Sequence, residues 1–155
     1  MNVTSESRRS AIVQETAMSP VMNECVLIVE CTPGFCERLV QACRAANYNV
    51  LAADSGESAF TILRHRQHQI GWLYSRAALP GLIDGWILAD QYHQAYPSRP
   101  VIIAAHDTRF SARSDIVLKE PTVTVVSETI RHVVEGAEAA RAAAPLGLRE
   151  HRRAA

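Results

Sequence analysis

Between Gln69 and Trp86 the chain reads QIGWLYSRAALPGLIDGW. Ile70–Tyr74 is an apolar run of buried-strand length. Ser75 and Arg76 follow it, and Leu79-Pro80-Gly81 is a turn signal. Asp84-Gly85 then opens an amphipathic helix. A buried strand that passes through a loop into a helix is half of a βαβ unit. In open α/β sheets, function gathers where the carboxyl end of the strand meets that loop. Arg76 stands at that point. Arginine is always charged and is rarely buried without a partner, so its surroundings are the question the sequence poses.

The remaining elements alternate in the same way. Cys25–Val29 is a continuous apolar run closed by Glu30, as expected for a strand buried on both faces. Thr32-Pro33 reads as N-cap and first helical residue. The helix Pro33–Ala46 carries Phe35, Leu39, Ala42, Cys43 and Ala46 at helical spacing, with Asn47 as a left-handed cap. Asn49–Ala53 is a short strand. Ser55-Gly56-Glu57 opens a helix to about His65, with Ala59, Ile62 and Leu63 inward. Asp84 caps the next helix, whose apolar positions include Ile87, Leu88 and Tyr92. Val101–Ala105 and Ile116–Lys119 are two further strands. The last helix starts between Val123 and Ser127, with Ile130, Val133, Val134 and Ala137 on one face, and Pro145 stops it. This order implies an α/β fold: a doubly wound, five-stranded parallel sheet. Residues 1–22 are expected to be a disordered arm, 23–144 the domain, and 145–155 a disordered, mildly basic tail.

Composition narrows the function classes. Sixteen Lys and Arg balance sixteen Asp and Glu across 155 residues. Nucleic-acid binders usually carry a basic excess, so no nucleic-acid partner is expected. No apolar run spans a bilayer and no signal-peptide pattern opens the chain, so the reading is cytoplasmic, with no membrane partner. Cys25, Cys31, Cys36 and Cys43 match neither a CxxC pair nor a zinc knuckle. His65, His68, His93 and His106 show no zinc spacing either. No metal and no cofactor is expected.

With those elements placed, residues 24–137 resemble the receiver domain of two-component response regulators. Five anchors carry the resemblance. Val26-Leu27-Ile28-Val29-Glu30 is similar to the first strand and its acidic end. Ala46-Asn47-Tyr48-Asn49-Val50 is similar to the turn into strand two. Ala53-Asp54-Ser55-Gly56-Glu57-Ser58-Ala59 resembles the start of helix two. Leu79-Pro80-Gly81 with Asp84-Gly85-Trp86 resembles the loop and helix after the phosphorylated aspartate. Pro100-Val101-Ile102-Ile103 leads strand four.

The resemblance implies a flavodoxin-like fold and a site at the strand ends. In the family an aspartate accepts a phosphoryl group from a histidine kinase. Two acids hold Mg²⁺, a Thr or Ser binds a phosphate oxygen, and a Lys neutralises charge. Carried over position by position, the acidic pair becomes Glu30-Cys31 and the phosphoacceptor becomes Arg76. The Thr or Ser becomes Ala105, and the Lys becomes Glu120. Lys119 substitutes for that Lys only if strand five carries a bulge. Glu30, Cys31, Arg76, Ala105 and Glu120 thus form a degenerate phosphorylation pocket with no catalytic residue. The sign reversal at two positions suggests a salt bridge from Arg76 to Glu120 or to Glu30. The link 106–115 is too short and too polar for the family's loop and fourth helix, so that helix is expected to be shortened or missing.

The reading is an atypical stand-alone receiver and not an enzyme. It acts by phosphorylation-independent contact with a histidine kinase, another signalling protein or a second copy of itself. The over-wide apolar stripe made by Cys36 and Val40 on the first helix is a candidate for that second copy. The competing reading is a small-molecule or redox sensor using a Cys31/Arg76 pocket. There a helix N-terminus and a neighbouring guanidinium favour the thiolate, and an anion bridges Arg76 and the helix amides.

Overall fold

The computed structural model describes residues 24–66, 69–107 and 115–143. The expected arm and tail, His68, and most of the link 106–115 lie outside those residues. In chain order the elements are β1 (Cys25–Val29), α1 (Pro33–Ala45), β2 (Asn49–Ala53), α2 (Gly56–His65), β3 (Ile70–Arg76), α3 (Gly85–Ala95), β4 (Ile102–Ala105), β5 (Ile116–Lys119) and α4 (Val123–Ala143).

The five strands form one parallel sheet in the order β2-β1-β3-β4-β5. Strand order reverses between β1 and β3, and in such a sheet the crevice above that point is where ligands and chemistry sit. β3 is the central strand and is buried from Ile70 through Ser75. The β1–β3 register shifts between Cys25 and Val26 and skips Gly71. The Gly71 carbonyl freed by this bulge accepts the Tyr92 hydroxyl at 2.5 Å and Arg99 Nη1 at 2.9 Å.

Side chains alternate across the sheet into two cores. Val26, Ile28, Trp72, Tyr74 and Ile102 face α1 and α4, meeting Leu39, Val40, Cys43, Val126 and Ile130. Leu27, Val29, Leu73 and Ile103 face α2 and α3, meeting Ala59, Leu63, Leu88 and Tyr92. Helices on both faces make this the doubly wound architecture expected from the alternation.

Local chemistry sets the helix ends. Ser55 Oγ accepts from Ser58 N at 3.2 Å and Asp84 Oδ1 from Ile87 N at 2.9 Å, each satisfying an otherwise unpaired first-turn donor. Asn47 follows α1 at φ 68°, the left-handed cap expected there. Thr32 holds the N-cap position of α1, but its side chain makes no capping bond.

Three details differ from the sequence reading. Ile87 is 42% exposed, because the buried stripe of α3 runs through Gly85, Leu88, Ala89, Tyr92 and His93. Ala46 is exposed past the end of α1. The apolar stripe of α1 is not over-wide: Val40 is buried and Cys36 packs against the same core. α1 packs against both the sheet and α4, and two neighbours need a broader stripe than one.

Candidate functional site

The site forms at the carboxyl ends of β1, β3 and β4. Glu30 follows β1 and is buried, and Arg76 ends β3. Both continue the α1/α4 side of their strands, as the two-residue period requires. Arg76 Nε donates to Glu30 Oε1 at 2.5 Å. Tyr74, two residues earlier on the same side of β3, donates its hydroxyl to Glu30 Oε2 at 2.8 Å. The Thr32 amide, entering α1, reaches Glu30 Oε1 at 3.4 Å. Both oxygens of this buried carboxylate are therefore engaged, as a charge taken out of water requires. The Phe35 ring, on the first turn of α1, lies 5.4 Å from the Arg76 guanidinium carbon and flanks it by a cation–π contact.

The electrostatics follow. Burial pulls the Arg76 guanidinium toward deprotonation, but the Glu30 hydrogen bond and charge outweigh it, and the net shift is upward. Burial, then the adjacent Glu30 charge, pushes the Tyr74 phenol far above its ordinary value. The hydroxyl stays protonated and keeps donating. Burial also raises the Cys36 thiol, reinforced by Glu30.

Of the two acids weighed as partners for Arg76, Glu30 is the one that meets it. Glu120 sits at φ 44°, a strained left-handed backbone, with its amide donating to Ala105 O at 3.2 Å. Its carboxylate lies 2.6 Å from His106 Nδ1 instead. β5 pairs in regular register through Lys119 opposite Ala105, without a bulge, and Lys119 is exposed. Ala105 lies half-buried at the end of β4. Cys31 lies half-buried beyond Glu30.

A recess of about 300 Å³ opens beside Arg76, between the ends of β3 and β4. Its walls are Ala77, Ala78, Ala104 and Ala105, with Trp86, His106 and Asp107 completing it. Cys31 is not part of this lining, though it lies near enough for its charge to act on Arg76. Among the described residues, no cluster of three His, Cys, Asp or Glu side chains is placed to hold a metal. Among them too, no helix is long and apolar enough to cross a membrane.

The loop from β3 to α3 is fastened from α2. Glu57 Oε2 accepts from the amides of Leu82 at 3.0 Å and Ile83 at 3.2 Å. Gly81 has φ +93°, and a Cβ there would meet the Glu57 carboxylate at 2.5 Å. At Gly85 a Cβ would fall 2.4 Å from the Arg76 carbonyl. The loop glycines thus let α3 start close against the end of β3.

The sequence reading missed Tyr74, Phe35 and Glu57 as parts of this site. Tyr74 was within reach of it: two residues before Arg76, it must share a face with it. Phe35 reads in the sequence as one of the apolar core positions of α1. Nothing local marks Glu57 as a loop clamp, since its partners lie 25 and 26 residues on.

No family model matches the chain, and no curated protein matches it by sequence. Solved structures do match by fold. A response regulator receiver protein from Sinorhizobium medicae WSM419 superposes with a TM-score of 0.65 at 16% identity, covering 72% of this chain and 94% of that one. The receiver domain of the hybrid histidine kinase CckA superposes at 0.61 with 24% identity, covering 71% and 98%. The signal receiver domain of an HD domain-containing protein from Pseudomonas fluorescens Pf-5 gives 0.61 at 23% identity, covering 76% and 98%. The chain has the fold of a response-regulator receiver domain.

Proposed function

We propose that this protein is a signalling module of the two-component type that works by protein–protein contact, without aspartyl phosphorylation and without catalysis. The observation that carries this reading is the Arg76–Glu30 pair. Arg76 stands at the phosphoacceptor's place at the end of the central strand. A guanidinium has no oxygen to take a phosphoryl group. Its charge opposes a Mg²⁺ ion in the same crevice, where phosphoryl transfer relies on the metal to offset negative charge. Glu30, the one acid kept from the metal-binding pair, has both oxygens committed to protein donors. Ala105 offers no hydroxyl, and Glu120 replaces a cation with an anion.

The ion pair holds one arrangement of the crevice, where a working receiver alternates between two. Partners on this reading are a histidine kinase, another signalling protein of the cytoplasm, or a second copy of the chain. Immobilised protein is incubated with native cytoplasmic extract, with and without acetyl phosphate and Mg²⁺, and bound proteins are identified by mass spectrometry. The reading expects the same signalling protein in equal amount in both arms. Retention that requires the phosphodonor contradicts it.

A further inference from the structure

The two ends of the Arg76–Glu30 pair meet solvent unequally. The Glu30 side chain is wholly buried, whereas that of Arg76 is 26% exposed. What faces outward is the cationic end. Arg76 spends Nε on Glu30, and the Phe35 ring flanks its guanidinium. Its Nη1 and Nη2 groups form no hydrogen bond to any described residue. The guanidinium is thus fixed in place with its outer edge uncommitted, a preorganised fork of donors.

Arg76 lines the recess of about 300 Å³ described above. At roughly 30 Å³ per water that is space for about ten waters, or a small organic molecule. The alanines give it an apolar wall, and Trp86 gives it an aromatic side. His106 and Asp107 stand at its rim. Small-molecule sites combine such apolar walls with a few placed polar groups.

We propose that this recess binds a small carboxylic acid with a short apolar body. Its carboxylate takes the outer edge of Arg76 in the planar two-bond geometry that guanidinium favours. Its apolar part lies against Trp86 and the alanine wall. A carboxylate suits the recess better than phosphate. Asp107 repels a dianion more strongly than a monoanion, and phosphate has no apolar body to place on the alanines. This inference rests on the reading that Arg76 replaces the phosphoacceptor, but it assigns the vacated crevice a ligand and does not involve Cys31.

The test is a metal-free NMR titration of the full chain, at fixed ionic strength, with benzoate, acetate and inorganic phosphate. Saturable shifts are expected at the Trp86 indole N–H and the Ala77 and Ala105 amides, with benzoate tightest and phosphate weakest. Ala105→Leu fills the recess without touching the Glu30 pair and should weaken benzoate by at least about tenfold. Asp107→Asn should tighten it. Arg76→Gln should abolish it. If Arg76→Gln does not fold, the other two variants still decide the matter. Non-saturable shifts, phosphate binding tighter than benzoate, or unchanged affinity in Ala105→Leu overturns the proposal. Phosphoryl uptake on the intact chain is measured separately, so a failure here leaves the phosphorylation-independent reading standing.

Discussion

Glu30 Oε1 and Arg76 Nε lie 2.5 Å apart across the reversal point of the sheet, with the carboxylate buried and the guanidinium only partly so. Removing the arginine strands a buried charge, which costs far more than the pair itself contributes. Arg76→Ala should therefore destabilise the protein by about 2–4 kcal/mol, a range set below the fully buried case because Arg76 is partly in water. Adding Glu30→Gln should recover part of that loss, since the stranded charge is gone. Urea unfolding of the two single variants and the double variant measures both effects. Simple additivity would show that the pair is not coupled.

Tyr74 supplies the second oxygen of Glu30 with its donor. Tyr74→Phe keeps the packing and deletes one hydrogen bond to a charged acceptor. A loss of about 1.5–3 kcal/mol is expected, read from the urea midpoint. In the Glu30→Gln background the same change should cost less, because the acceptor is no longer charged.

Much of the architecture was legible in the sequence because its signals are local. Five apolar runs, Ser55 and Asp84 as caps, and Asn47 as a left-handed residue each act within a few positions. The site was legible only in part. The sequence named Arg76, Glu30 and Glu120, but the choice between the two acids depends on the left-handed backbone of Glu120. That turn sends its side chain to His106. The width of the α1 stripe was misread because α4, which shares its burial, lies some ninety residues away. The Glu57 clamp joins α2 to the β3–α3 loop and has no sequence period to betray it.

Glu57 is held below its ordinary carboxylate range, first by a backbone hydrogen bond within its own turn and then by the Leu82 and Ile83 amides. A depressed folded value means that its contribution is complete above the unfolded value. That contribution fades as pH falls through the folded one. Stability should thus fall with acid in a window opening near pH 4.5 and extending below it. Glu57→Gln should flatten that part of the curve while leaving the profile near neutrality parallel to wild type. Denaturation followed from pH 3 to pH 7 checks this, and an unchanged acid limb would rule out Glu57 as its source.

Burial raises the Cys43 thiol to about 11. The thiolate is the reactive form, so Cys43 should resist thiol reagents in the native protein at pH 8 and react only on unfolding. Peptide mapping after timed labelling reads this. Labelling of Cys43 in the native protein at the rate of an exposed thiol would contradict the packing of α1 against the sheet.

With Arg76 at the end of β3, the crevice should have no group able to accept a phosphoryl group. The most direct measurement is the intact mass of the protein after incubation with acetyl phosphate and Mg²⁺. No phosphoryl adduct is expected under conditions that modify an active receiver run in parallel. A phosphoryl group on the intact chain, lost on treatment with hydroxylamine as an acyl phosphate is, would contradict it.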